Sequence, residues 1–161
     1  MYPTAESQSR WVVFTLEGNR YALPLTAVQR VVRAVQITPL PRAPAFVLGA
    51  IDVEGQVLPV FSLRQRFDLQ DRPIHPADQF LIAHTPDRSI ALVIDAALGI
   101  IEYPVAGIVD AQRVAEPLEH IQGVIPLESG MLLIQDLGKL LTPQEAQALD
   151  EAMSGEDSRV P

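Results

Sequence analysis

Residues 49–63 read GAIDVEGQVLPVFSL, and residues 123–137 read GVIPLESGMLLIQDL. In both stretches a glycine precedes an apolar strand, a tight turn and a second strand, and a short amphipathic helical turn follows. From position 49 to position 67, a shift of 74 residues gives five identities over nineteen positions. The identical pairs are Gly49 and Gly123, Ile51 and Ile125, Glu54 and Glu128, Leu58 and Leu132, and Leu63 and Leu137.

The repeat predicts two small β-barrels of similar build, with one copy of the motif at 49–67 and the other at 123–141. Each barrel would hold about 70 residues, and a unit that small buries too little surface to be stable alone. The two barrels are therefore expected to pack on a shared apolar core. The alternative is chance similarity between two β-hairpins.

The rest of the chain also favours short strands. Thirteen of the 14 prolines fall at or before Pro143, a spacing that permits no long helix before that point. Apolar runs with alternating or β-branched residues predict strands at 11–17, 21–25, 28–35, 46–53, 56–61, 79–84, 89–94 and 100–105. A turn is expected at 18–19. The predicted class is all-β.

A helix is predicted only near the end of the chain. Thr142-Pro143-Gln144-Glu145 forms a capping box with proline at the first helical position. Apolar side chains then recur every three or four residues, which predicts a face that docks on the body; they are Ala146, Leu149, Ala152 and Met153. The predicted domain spans 11–153, with flexible tails at 1–10 and 154–161. Five acidic residues between 145 and 157 are interpreted as a solvated helix face, with an acidic docking tail as the alternative.

The composition excludes several classes of protein. The chain has 161 residues, 12 basic and 20 acidic side chains, a net charge of −8, 48% apolar residues and no cysteine. The apolar fraction excludes an intrinsically disordered chain, and the missing cysteine excludes a disulfide or cysteine-ligated zinc scaffold. Nucleic-acid binding is not expected at a pI near 4.7, because negative charge repels phosphate.

No signal peptide or membrane span is expected. Residues 1–10 are polar. The longest apolar stretch, 90–101, has twelve residues and contains Asp95 and Gly99, whereas a membrane helix needs about 20 apolar residues. This stretch is predicted to form a pair of buried strands, and the protein is expected in the cytoplasm.

Residue patterns typical of enzymes are missing. The sequence has no phosphate-binding glycine loop and no nucleophile-elbow motif, and His75, His84 and His120 lack metal-ligand spacing. Asp95 is the one acid inside an apolar run; a structural hydrogen bond or an exposed turn is favoured over a general base. No metal or cofactor is expected. A small β-barrel enzyme or ligand binder with a site in the seam between barrels is the alternative, and it would need titratable groups that converge in one cleft.

Residues 44–63, which read PAFVLGAIDVEGQVLPVFSL, resemble the CheW family of chemosensory coupling proteins. The family pattern there is a proline, then Gly-x-x-Asn-Leu-Arg-Gly, then Pro-Val-x-Asp-Leu. Residues 21–28 and 37–41 are similar to the family's second strand and its proline-rich connector. Residues 90–103 are similar to a strand pair in its second half, and 140–145 to the start of its terminal helix. The resemblance covers about 11–153.

This resemblance implies two SH3-like five-stranded barrels around a common core, together with the terminal helix, and no catalytic activity. It implies an adaptor that bridges the cytoplasmic tip of a chemoreceptor to a CheA-type histidine kinase. The receptor tip would lie between the barrels, and the kinase's regulatory domain would make barrel-to-barrel contacts. A free-standing regulatory domain of the kinase type is a second alternative. The residues implied in partner binding are Val28, Arg30, Gly49, Ile51, Asp52, Glu54 and Gly55.

The chain departs from the family pattern at several positions. Glu54 replaces the motif arginine, Asp52 the motif asparagine and Ser62 the aspartate of the second motif, whereas Arg30 stands where an acid is common. We expect Arg30 and Glu54 to face each other across the groove as an ion pair of reversed polarity; drift at an unused surface is the alternative. Such a pair would act on partner choice rather than on stability. An ordinary receptor tip would then bind poorly, and a divergent, non-flagellar pathway is plausible.

Overall fold

A computed structural model describes residues 9–111 and 120–157, the side chains of 155–157 excepted. Within these ranges the chain forms eleven strands and two α-helices. The strands are β1 Arg10–Leu16, β2 Asn19–Pro24, β3 Val28–Arg33, β4 Val47–Val53, β5 Gln56–Phe61, β6 Gln79–His84, β7 Ser89–Ile94, β8 Ala96–Glu102, β9 Val109–Asp110, β10 Ile121–Leu127 and β11 Gly130–Gln135. The helices are α1 Leu63–Arg66 and α2 Pro143–Asp157. None of the helices in these ranges has the length and apolar character needed to cross a membrane.

The strands form two sheets. The first sheet has the order β8-β1-β2-β11-β10-β9, and the second has the order β3-β6-β7-β5-β4. The predicted all-β class with a terminal helix is confirmed. The first sheet has six strands rather than five, because the two-residue β9 pairs with β10. In the second sheet an isolated bridge between Thr38 and Ala50 takes the corresponding place.

The two motif copies form hairpins with the same register. Gly49 lies opposite Val60 in the second sheet, and Gly123 lies opposite Ile134 in the first. Each second strand then pairs in parallel with a strand of another hairpin, β5 with β7 and β11 with β2. The other strands also hold equivalent positions in the two sheets. In the first sheet β1, β2 and β8 take the places that β6, β7 and β3 take in the second. The two halves of the chain are therefore interleaved, since each half contributes a hairpin to the sheet that the other half completes.

Several strands are buried on both faces. In β1, Phe14 and Leu16 point into a core shared by the two sheets, whereas Trp11 and Val13 point into a core of the first sheet alone. The same alternation recurs in β6 and β7, whose other faces fill a core of the second sheet. Successive side chains point to opposite faces of a strand. This arrangement explains why the strands read as almost continuous apolar runs.

The terminal helix begins as its capping box predicts. The Thr142 amide donates to the Glu145 carboxylate at 2.8 Å, and the Glu145 amide donates to Thr142 Oγ1 at 3.1 Å. Leu149 and Ala152 are buried in the shared core, and Met153 packs against it. The Glu145 carboxylate also accepts hydrogen bonds from both terminal nitrogens of Arg66, at 2.9 and 3.0 Å, and these bonds tie α2 to α1.

Three local predictions need correction. The first hairpin turns at Glu17-Gly18 rather than at 18–19, because both residues adopt positive φ and Asn19 already belongs to β2. The strand expected at 100–105 is β8, which begins and ends earlier, at Ala96 and Glu102. Its outer face is exposed, with Leu98 and Ile100 each 56% accessible. The predicted pair of buried strands therefore holds for β7 and not for β8.

The tails expected at 1–10 and 154–161 lie partly within the described residues. Arg10 already belongs to β1, and α2 continues to Asp157, four residues into the stretch expected to be flexible. The remaining parts of those tails, 1–8 and 158–161, lie outside the described residues. The domain bounds 11–153 stay a prediction.

A charge cluster lies where the chain crosses from β7 to β8. Asp95 accepts hydrogen bonds from Arg64 at 2.7 Å, from Arg72 at 3.0 Å and from the Glu17 amide at 3.0 Å. The buried Arg64 also pairs with the Glu17 carboxylate, and Arg72 pairs with Asp78. The structural role favoured for Asp95 is thus the one observed. The cluster joins the first hairpin of one sheet to the helical turn of the other.

Gly49→Ala is expected to destabilise the fold by about 2–4 kcal/mol, because Gly49 has both backbone strain and no room. Its φ is +148°, and an added Cβ would lie 2.2 Å from the Thr38 carbonyl oxygen. Gly55→Ala is the matched control, since Gly55 also has positive φ but open space around it; its cost should be about 1 kcal/mol. Urea unfolding measures both values, and equal losses would show that the close approach to Thr38 is unimportant.

Because of Asp78, the free energy of unfolding is expected to fall as the pH becomes acidic. Burial alone would raise its pKa, but the Arg72 guanidinium and the His75 amide outweigh burial and hold the pKa below its usual value. A lowered folded-state pKa stabilises the protein above the unfolded pKa, and the gain is lost as the pH falls through the folded value. Asp78→Asn should cost about 2 kcal/mol at pH 7 and flatten the decline below about pH 4.

Urea unfolding from pH 7 to pH 2 measures this dependence. Asp87→Asn, at an exposed position in the β6–β7 turn, is the control and should leave the profile unchanged. An Asp78→Asn profile that runs parallel to that of the wild type would contradict the assignment.

Candidate partner-binding surface

Four of the seven predicted partner-binding residues lie together on the surface. Arg30 projects from β3, and Asp52, Glu54 and Gly55 form the tip of the β4–β5 hairpin, where all four are exposed. β3 and β4 are opposite edges of the second sheet. The tip therefore meets β3 across the seam that curls this sheet into a barrel. We call these four residues the hairpin surface.

The geometry of the tip is set by its backbone. Glu54 and Gly55 have φ values of +51° and +88°, as a two-residue turn with the twist of the flanking strands requires. The Asp52 carboxylate accepts the Gly55 amide at 2.7 Å and holds the turn from inside. Glycine tolerates this conformation freely, whereas Glu54 is strained in it. A glutamate is thus kept at a position that disfavours it.

Arg30 and Glu54 form the expected ion pair. Arg30 Nη1 lies 3.0 Å from Glu54 Oε1, and Nη2 lies 3.1 Å from Oε2, so the contact is bidentate. Their mutual hydrogen bonds and charges raise the pKa of Arg30 and lower that of Glu54. The side chains remain 45% and 72% accessible. An exposed pair of this kind contributes little to stability and leaves both charges available to a partner.

The location of the pair corrects one expectation. Both residues belong to the second sheet and close its own seam, so the pair does not span a groove between the two barrels. The sequence could not show this, because the order of strands within a sheet depends on contacts between distant segments. Charge complementarity identified the contact, and topology determines its place.

Of the other three predicted residues, Gly49 and Ile51 are buried and Val28 is partly buried. Gly49 is buried and lets residue 38 pair closely with β4. Ile51 points into the core of the second sheet, and Val28 packs against the shared core. These residues hold β3 and the hairpin in place, and none of them offers an exposed side chain. Their part in partner binding stays a prediction.

Sequence reasoning missed three exposed apolar side chains on the first sheet. Leu98 and Ile100 on β8 and Met131 on β11 are more than half accessible. The run from 90 to 101 gave no sign of this, because an apolar run does not reveal which face of a strand is covered. Val57, beside the hairpin surface, is also exposed.

The chain is similar to known proteins over most of its length. Residues 10–145 match the family model described as a CheW-like domain. The chemotaxis protein CheW of Treponema pallidum is 25% identical over 150 residues, which cover 89% of this chain and 88% of that protein. Protein FrzA of Myxococcus xanthus is 28% identical over 148 residues, covering 90% and 92%. The chemotaxis protein CheW of Bacillus subtilis is 26% identical over 149 residues, covering 90% and 96%.

A solved structure supports the same relation. The crystal structure of the scaffolding protein TtCheW from Thermoanaerobacter tengcongensis superposes with a TM-score of 0.78 at 26% identity. The match covers 86% of this chain and 95% of that one. With the family model matched over 10–145, these similarities establish that the chain belongs to the CheW-like family.

Proposed function

We propose that this chain is a non-catalytic adaptor that couples a chemoreceptor to a CheA-type histidine kinase in chemosensory signal transduction. The observation that carries the proposal is the CheW-like match across residues 10–145, which includes both sheets and the hairpin surface. Relatives of similar length are chemotaxis proteins, and the related crystal structure is that of a scaffolding protein. The site of action proposed for the adaptor is the cytoplasm, and a non-flagellar output stays part of the proposal.

The two partners are assigned to different parts of the molecule. The hairpin surface lies at the seam of one barrel, and we assign it to barrel-to-barrel contact with the kinase's regulatory domain. The receptor tip is assigned to the region between the sheets. A bidentate, exposed ion pair suits the first role, because charged groups at the rim of an interface steer association and reject wrong partners.

A seam enzyme or ligand binder is not favoured. A cavity of about 710 Å³ is lined by polar and apolar side chains and by four charged residues, which are Arg64, Asp71, Arg72 and Asp78. Arg64, Arg72 and Asp78 are ion-paired within the cluster around Asp95. The Asp71 carboxylate accepts hydrogen bonds from the Gln65 side chain and the Arg72 amide. A general base needs a group that can take up a proton. Asp95, held by two arginines, is a structural acceptor instead.

The direct test is binding of the purified chain to its own partners. The kinase regulatory domain and the receptor's cytoplasmic tip from the same organism should each form a complex with it by calorimetry and by size-exclusion chromatography. All three together should give kinase activity that responds to the receptor. Failure to bind either partner would overturn the proposal.

Exchange of charges between Arg30 and Glu54 is expected to change partner choice. The double variant Arg30→Glu/Glu54→Arg keeps an internal ion pair but presents the polarity that the family motif carries. It should bind its own kinase domain about tenfold more weakly, since like charges then meet across the interface. It should bind the kinase domain of Bacillus subtilis more tightly than the wild type does.

The control for this exchange is the exposed pair Arg10–Glu102 on the first sheet, with a nitrogen–oxygen distance of 3.4 Å. Arg10→Glu/Glu102→Arg should leave both affinities unchanged. Equal affinities of the Arg30/Glu54 exchange and the wild type for both kinase domains would show that the hairpin surface does not choose partners.

A further inference from the structure

The exposed carboxylate of Asp52 makes one hydrogen bond and no ion pair with the described part of the chain. It accepts the Gly55 amide at 2.7 Å. The charges beside it are already matched, because Arg30 binds both carboxylate oxygens of Glu54. Arg33, the other arginine of β3, is exposed and forms no ion pair within the same residues. The hairpin surface therefore has two acids, one base and a net charge of −1.

The turn does not need a charge at position 52. The side-chain oxygen of asparagine, which is the residue of the family motif here, could accept the same bond from the Gly55 amide. Glu54 and Arg30 reverse the polarity of the ion pair but keep it neutral. Of these three departures from the family pattern, only that at Asp52 changes the net charge of the hairpin surface.

An exposed apolar side chain lies next to Asp52. Val57 of β5 is directly opposite Asp52 in the hairpin register and is 44% accessible. Ile51 and Val53 point into the core of the second sheet, so Asp52 lies on the outer face of β4. Side chains directly opposite in an antiparallel pair have Cβ atoms about 5 Å apart. A carboxylate beside apolar surface suits arginine or lysine, whose stem covers the apolar atoms while the charged head reaches the acid.

We propose that Asp52 selects the kinase: its carboxylate pairs with an arginine or lysine of the kinase's regulatory domain, and the stem of that residue covers Val57. The inference rests on the proposed adaptor function, which assigns the hairpin surface to that domain, and it adds the charge that the domain must carry. A regulatory domain without a base at this place would leave the Asp52 charge desolvated and unpaired, which disfavours the wrong complex.

The test is calorimetric binding of the full-length chain to the kinase regulatory domain from the same organism, at low and at high salt. Asp52→Asn removes the charge and keeps an acceptor for the Gly55 amide. It should weaken binding about fivefold at low salt and make the affinity less dependent on salt. Val57→Ser should give a smaller loss with unchanged salt dependence. Asp87→Asn, an equal change of charge at an exposed turn, should have no effect.

Two further measurements separate recognition from a structural role. Asp52→Asn should unfold at the same urea concentration as the wild type and should bind the receptor tip equally well. Unchanged affinity for the kinase domain, with unchanged salt dependence, would overturn the role of Asp52 and leave the adaptor function standing. Weaker binding of both probes, together with a lower urea midpoint, would show that Asp52 serves the fold and would overturn the proposal too. Absence of binding by the wild type to the kinase domain would overturn the adaptor function itself.

Discussion

Burial of the central strands on both faces is the constraint on which the rest of the structure depends. In β6 and β7, side chains alternate between the core of the second sheet and the core shared with the first, and Leu81 and Leu92 lie on the shared side. Separation of the sheets would expose the shared face of every such strand, including Phe14 of β1. At about 25 cal/mol per Å² of apolar surface, that cost forbids the separated state. The relative placement of the two sheets is thereby fixed.

The hairpin tips lie outside the apolar core, and charge pairs fix their conformation. Two turns in this chain have the sequence Glu-Gly with positive φ at both residues, and an arginine holds the glutamate in each case. Arg64 holds Glu17 from a buried position and also binds Asp95, so this turn is tied to the crossing between the sheets. Arg30 holds Glu54 in the open, where the pair remains available to a partner. The same local device thus ties the two sheets together at one turn and lies exposed at the other.

Local patterns predicted much of this structure. The hairpins at 49–61 and 123–134, and the capped helix at Thr142, depend on residues close in sequence, so they could be derived without coordinates. The exposed face of β8 could not be derived in this way, because an apolar run does not specify which side of a strand is covered by its neighbours. The arginine partners of Asp95 lie 23 and 31 residues away in sequence, and a single sequence offers no way to choose them. The Arg30–Glu54 contact could be predicted in part. Its opposite charges indicated an ion pair, whereas its position depends on the order of the strands in the sheet.

The repeat makes the free edges of the two sheets comparable, because β3 and β8 hold equivalent positions in the two strand orders. Arg30 of β3 lies opposite Ile82 beside an irregularity in the pairing, and Gly99 of β8 lies opposite Val13 beside a similar irregularity. At the first edge the arginine pairs with the Glu54 carboxylate, whereas the second edge has no side chain at that position. The two edges therefore differ in charge through one residue, while the cores on both faces of the strands hold an equivalent backbone at each edge.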